Sequence, residues 1–265
     1  MIRATARVLI IAGSDSGGGA GIQADIKTAT ALGVYASAAI TAVTVQDTRG
    51  VHAIHEIPAA IVRDQIAYVL DDIGADAIKI GMLGSAAIVH AVADALQGHA
   101  RDMPLVLDPV RASSSGTALL EDGAIGALTA QLFPLATLLT PNIPEAEALA
   151  GIPVRNTGDM QRAGERLRAS GAAAVLVKGG HADNDVIEDV LVSDEDARVF
   201  SAPRLDSRNT HGTGCTLSTA IACGLAQGLT LTHAIERARA FVQEAIRTAP
   251  GFGRGHGPLN HLVRL

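Results

Sequence analysis

Short apolar runs alternate along this chain with longer stretches whose apolar positions recur at helical spacing. Residues 8–12 are wholly apolar and predict a buried strand, and 22–32 predict an amphipathic helix ended by Gly33. Stretches rich in β-branched and small residues at 35–45 and 51–57 predict two more strands, the second stopped by Pro58, before a helix over 59–73. The rhythm continues through strands at 77–80, 105–107, 136–139 and 173–177, and helices at 85–96, 123–132, 145–150 and 159–170. It then changes. Segments 186–193 and 197–200 flank the acidic Asp194-Glu195-Asp196 and read as a hairpin. Helices at 216–226 and 232–248 and a Gly-rich tail over 250–258 complete the pattern.

Repeated strand–helix units predict an α/β fold: a mostly parallel sheet with helices on both faces, in a single domain over 1–265. Composition refines this. Of the 265 residues 48% are hydrophobic but only 2% aromatic, so the core is aliphatic. A net charge of -6 without a basic patch argues against nucleic acid, and no span is apolar enough for a membrane. Cys215 and Cys223, eight apart on one predicted helix, make neither a disulfide framework nor a metal-ligand spacing, which suits a reducing cytoplasm. Only Lys27, Lys79 and Lys178 occur among many arginines.

In open parallel sheets ligands sit beyond the carboxyl ends of the strands. Most polar clusters here follow a strand: the loop 13–21, Gln46-Asp47, Gly81-Met82, Asp108, Asn142 with Glu145, and Lys178-Gly179. The fold is expected to gather them on one edge. The stretch Asn209-Thr210-His211-Gly212-Thr213-Gly214-Cys215 opens a long helix. Two glycines one residue apart turn several N–H groups toward one point at a positive helix end, an arrangement suited to phosphate. The earlier loop 13–21 does not fit a dinucleotide fingerprint, because Gly18 and the polar run before it break the pattern, nor a P-loop, because no Lys follows its glycines. Asp15 reads there as a turn residue, and His211 is assigned no chemistry.

These segments resemble, in order and over nearly the whole chain, the bacterial hydroxymethylpyrimidine/phosphomethylpyrimidine kinases of thiamine biosynthesis, within the ribokinase superfamily. The likeness is carried by AGSDSGGGAGIQAD at 12–25, ITAVTVQDTRGV at 40–51, KIGML at 79–83, DPV at 108–110, TPNIPEA at 140–146, KGGH at 178–181 and NTHGTGCT at 209–216. The resemblance implies a ribokinase-like three-layer α/β/α fold and ATP-dependent phosphorylation of an aminopyrimidine alcohol and then of its monophosphate. It assigns Gly212, Gly214 and Cys215 to phosphoryl transfer, with Cys215 standing where most sugar kinases of the superfamily carry an Asp base. Gly21, Asp25, Gln46 and Met82 are assigned to the substrate, with Asp25 by the hydroxymethyl end and Gln46 on the aminopyrimidine edge. Asn142, Lys178, Thr213 and Arg239 are assigned to ATP, and Asp108 and Glu145 to Mg2+. A side-chain amide matches an aminopyrimidine donor for acceptor, and a thiol at a helix N-terminus is expected to have a lowered pKa.

The chain departs from the family at Arg111, where many members carry Met before a Lys, and at Arg239, where many carry Lys. A pyridoxal/pyridoxine kinase, a non-catalytic metabolite sensor and a thiol enzyme using Cys215 remain alternatives. A lid is expected after Asp108 or around 183–185, and a homodimer is expected for such a fold.

Overall fold

Valine, leucine and isoleucine runs bury both faces of a parallel sheet, and that is how the computed structural model is built. It describes residues 5–97, 103–113, 116–121, 123–180, 185–195 and 197–263. The strands are β1 (Arg7–Asp15), β2 (Tyr35–Asp47), β3 (Gly50–Glu56), β4 (Ala77–Ile80), β5 (Leu105–Leu107), β6 (Leu138–Leu139), β7 (Val175–Val177), β8 (Val186–Val192) and β9 (Ala197–Pro203). The helices are α1 (Gly21–Ala31), α2 (Ala59–Asp72), α3 (Ala86–Gln97), α4 (Ala124–Gln131), α5 (Ile143–Ala150), α6 (Thr157–Ala169), α7 (Thr213–Ala226) and α8 (Leu231–Arg247).

One sheet runs β3-β2-β1-β4-β5-β6-β7-β8-β9. The six strands from β2 to β7 are parallel, while β3, β8 and β9 add antiparallel edges. Alternate side chains of each strand serve different cores. Leu9, Ile11, Ile78, Ile80, Leu105 and Leu107 pack with α2 to α6, whereas Val8, Ile10, Ala77 and Val106 pack with α1, α7 and α8. The three-layer α/β/α fold expected from the pattern is therefore present. The chain order reverses between β1 and β4, and the crevice beyond the strand ends at such a switch point is where ligands bind.

Helix ends differ from the sequence expectation by a few residues, for local reasons. Helix α5 starts at Ile143 because Asn142 and Glu145 form a reciprocal capping box. Helix α7 starts at Thr213, not Thr216, because Gly212 takes the left-handed conformation, φ 85°, that turns the chain into it. The tail returns to the top of the sheet. There His211 bridges to Pro258, and the hydroxyl of Thr48 accepts from the N–H groups of Arg254 and Gly255. Among the described residues no helix is long and apolar enough to cross a membrane.

Candidate active site

Two glycine loops meet face to face at the switch point. A Cβ on Gly212 would overlap the carbonyl oxygen of Gly19, and one on Gly21 would overlap that of Gly13. Only glycine permits this approach. The loops are tied by polar groups. Asp15, nearly fully buried, accepts the N–H of Gly17 at 2.7 Å, Gly19 at 3.1 Å and Ala20 at 2.8 Å. Its Oδ2 also lies 2.9 Å from Nε2 of His211. Asp15 is thus the turn residue expected, and also one half of an acid–imidazole pair that the sequence reading missed.

Lys79 comes from β4 and projects beneath the glycine loops. Its Nζ donates to Asp25 Oδ2 at 2.7 Å, while Thr219 of α7 donates to Oδ1 at 2.6 Å. Neither Lys79 nor Asp25 is exposed. Burial is the largest single influence on Lys79 and opposes its charge, but Asp25, Cys215 and Asp108 together hold the ammonium above its ordinary pKa. Asp25, expected by the substrate, has both of its oxygens occupied here, by Lys79 and Thr219.

Cys215 lies in the first turn of α7, half-buried. The expectation of a lowered pKa is not met. Burial pushes the thiol up to about 11, and nearby Asp25 and Asp108 add to the rise. Lys79 and the N–H of Gly21 pull the other way and do not prevail. At neutral pH Cys215 is a thiol held beside an ammonium. Cys223, one helical stretch on, is core packing.

Asp108, at the end of β5, accepts Lys178 Nζ at 2.8 Å and the hydroxyl of Thr140 at 3.1 Å. Gly214 is within van der Waals reach: a Cβ there would sit 3.3 Å from Lys178 Nζ and 3.5 Å from Asp108 Oδ2. Asn142 bridges to Lys178 across the ends of neighbouring strands. Burial, reinforced by Asp108, pushes Glu145 up to about 7 against the pull of Lys178. Lys178 stays charged: burial works against it, but Asp108 and Glu145 raise its pKa. Two buried carboxylates and one hydroxyl offer hard oxygen donors with an excess of negative charge, a set that fits a small divalent cation. Among the described residues no group of three or more His, Cys, Asp or Glu is arranged so that it could hold a metal ion by itself.

Gln46 and Met82 line the other side. Met82 sulfur rests against Gly13, where a Cβ would come within 2.9 Å, and its carbonyl accepts from Thr41 at 2.6 Å. A narrow cavity beside Gln46 is also walled by Ser113, His211 and His256. His256 is therefore a loop residue at the site margin.

Arg239 does not join these groups. It forms an ion pair with Asp189 of β8, and Asp189 in turn accepts the N–H of Gly179 at 2.7 Å. Arg239 lines a separate cavity with Arg198, Phe200 and Glu236. Arg239, expected at the nucleotide, is thus joined through Asp189 to the strand end that carries Lys178. His181 and Asp183, like Ser114 and Ser115 of the expected lid, lie outside the described residues.

The family model described as phosphomethylpyrimidine kinase matches residues 15–260. The chain belongs to the phosphomethylpyrimidine kinase family. Its relatives in that family include the hydroxymethylpyrimidine/phosphomethylpyrimidine kinase of Streptomyces coelicolor, 46% identical over 96% of this chain and 93% of that one. The enzyme of the same name from Mycobacterium tuberculosis is 50% identical over 98% and 94%. The thiamine biosynthesis bifunctional protein ThiED of Geobacter sulfurreducens is 50% identical over 97% of this chain, which spans only 52% of that longer relative. Among solved structures, phosphomethylpyrimidine kinase from Clostridium difficile superposes with a TM-score of 0.81 at 42% identity, covering 91% of this chain and 100% of that one. An ADP complex of Bacillus subtilis pyridoxal kinase superposes with 0.91 at 36% identity, covering 97% and 98%. The ribokinase-like fold of this family is the one described above.

Proposed function

We propose that this chain transfers the γ-phosphoryl group of ATP to the hydroxymethyl group of an aminopyrimidine and then to the resulting monophosphate. The observation that carries the reading is the convergence of the Gly212–Gly214 turn, the Lys178–Asp108 pair and Cys215 beside Lys79 at one crevice. The substrate oxygen forms a bond to the γ-phosphorus as the bond to ADP breaks. Catalysis of that exchange is mainly alignment and charge stabilisation. N–H groups at the start of α7 face the developing negative charge. Lys178 binds phosphate oxygens, and Cys215 shares or accepts the hydroxyl proton, with Lys79 stabilising the thiolate so formed. Asp108 and Glu145 are the residues that would hold Mg2+, which neutralises phosphate charge when bound. Gly21 and Met82 shape the ring pocket, Gln46 reads the ring edge, and Asn142 and Thr213 border the phosphates.

Phosphorus NMR of the protein with Mg·ATP and hydroxymethylpyrimidine tests this. Monophosphate that converts to diphosphate supports the two-step reading; no phosphorylated pyrimidine sinks it and favours a binding-only role. The strong superposition on pyridoxal kinase gives a second reading. A higher kcat/KM for pyridoxal than for the pyrimidine would establish it.

We also infer a cytoplasmic homodimer joined through the β2–β3 hairpin, which leaves Val43, Val45 and Ile54 exposed. Light scattering that gives a monomer mass at micromolar concentration would overturn it.

A further inference from the structure

We propose that Asp15 and His211 fix the orientation of the Gln46 carboxamide, as positioning residues that decide which donor–acceptor edge the site accepts. The inference rests on the reading of Gln46 as the ring-facing amide. Nε2 of His211 lies 2.9 Å from Asp15 Oδ2 and 3.3 Å from the Gln46 amide. A ring nitrogen that close to a carboxylate carries its proton. On the other flank, Thr44 Oγ1 lies 3.0 Å from the Gln46 amide and 3.0 Å from the carbonyl of Ser14.

With Oε1 of Gln46 toward Thr44 and Nε2 toward His211, a conflict arises: two N–H donors face each other across 3.3 Å. The two ends of a carboxamide have the same outline, and their partners decide which is which. Exchanging them removes that clash. The nitrogen then donates to Thr44, Thr44 donates to Ser14, and the oxygen shares the Nε2 proton of His211 with Asp15 as the longer arm of a bifurcated bond.

The clamp that imposes this is rigid. Asp15 is held by three backbone N–H groups, and the His211 ring fills the place a Cβ on Gly19 would take. Gln46 therefore presents an acceptor on its His211 side and a donor on its Thr44 side. An aminopyrimidine satisfies both, its exocyclic amine donating to the oxygen and its ring nitrogen accepting from the amide. A 4-oxo ring offers a carbonyl and an N–H in their place. An amide able to turn over accommodates either ring, whereas a clamped one rejects the oxo form.

The test measures binding of hydroxymethylpyrimidine and of its 4-oxo analogue by calorimetry. In the unmodified protein the amino ring is preferred. His211→Leu, which removes the donor, is expected to shrink that preference by about tenfold or more. His211→Gln, which keeps an N–H at the same reach, is expected to retain it. A purely structural role weakens both rings alike and leaves the ratio intact, and that outcome overturns the proposal. Neutron diffraction on the deuterated protein is the second arm. Gln46 deuterons toward Thr44 support the clamp, and deuterons toward His211 refute it even if no pyrimidine binds. Failure of both rings to bind the unmodified protein counts against the reading of Gln46 alone.

Discussion

Lys79 and Asp25 meet at 2.7 Å with no part of either side chain exposed, fifty-four positions apart in the chain. A buried pair is costly to break from one side, because the partner is left as an unpaired charge. Lys79→Met should destabilise the protein by about 3–5 kcal/mol in denaturant melts. Adding Asp25→Leu should recover most of that stability without recovering turnover. A single Lys79→Met variant as stable as the parent would contradict the pairing.

Cys215→Ala should lower kcat by about 100-fold or more, with the KM for ATP almost unchanged, if the thiol handles the hydroxyl proton. Cys223→Ala should leave kcat alone. Because burial pushes the Cys215 thiol up to about 11, iodoacetamide should alkylate the protein at pH 7.5 more slowly than it alkylates glutathione. Rapid alkylation at Cys215 would show that the first turn of α7 dominates over burial.

Gly212 sits at φ 85° with the carbonyl of Gly19 against it. Gly212→Ala meets both a strained backbone and a backbone clash. It should cost about 2 kcal/mol or more and lower kcat steeply by parting the two loops. Gly228→Ala, also left-handed at φ 82° but facing open space, should cost less and leave kcat unchanged. Comparing the two separates the backbone penalty from the loop contact.

His261 is buried against Thr216, whose hydroxyl lies 3.0 Å from Nε2. Burial, and to a lesser degree the charge of Lys27, push its pKa down to about 4 from 6.5. The folded value lies below the unfolded one. Between about pH 6.5 and pH 4 the unfolded chain binds a proton that the native chain refuses, so stability falls as pH drops through that window. The loss should reach about 3 kcal/mol by pH 4. Denaturant melts at pH 7 and pH 4.5 measure it, and His261→Gln should flatten the slope.

The strands and helices were legible because apolar period and glycine punctuation are local properties. The strand at 8–12, the hairpin after 186 and the cluster of polar residues beyond the strand ends all follow from them. Asp108, Lys178, Asn142 and Glu145 converge as the pattern of strand ends implies. Pairs that span the fold were not legible. Asp25 finds Thr219 across 194 positions, and Asp15 finds His211 across 196. A helix-borne Asp and a turn Asp carry no local mark of such partners. The one available hint was Lys79 within an apolar strand, where a charge needs a counter-charge. The thiol was misjudged for the same reason, since its pKa answers to burial and to carboxylates contributed by α1 and β5.

The return of the tail bears on how the joint between the two glycine loops is held. Asp15 and His211 make that joint across nearly two hundred residues, and Pro258 backs His211 from the far side. A cut before residue 250 would leave every strand, both loops and the Asp15–His211 contact in place and would remove only that backing. The tail is thus a brace on a joint made by other elements.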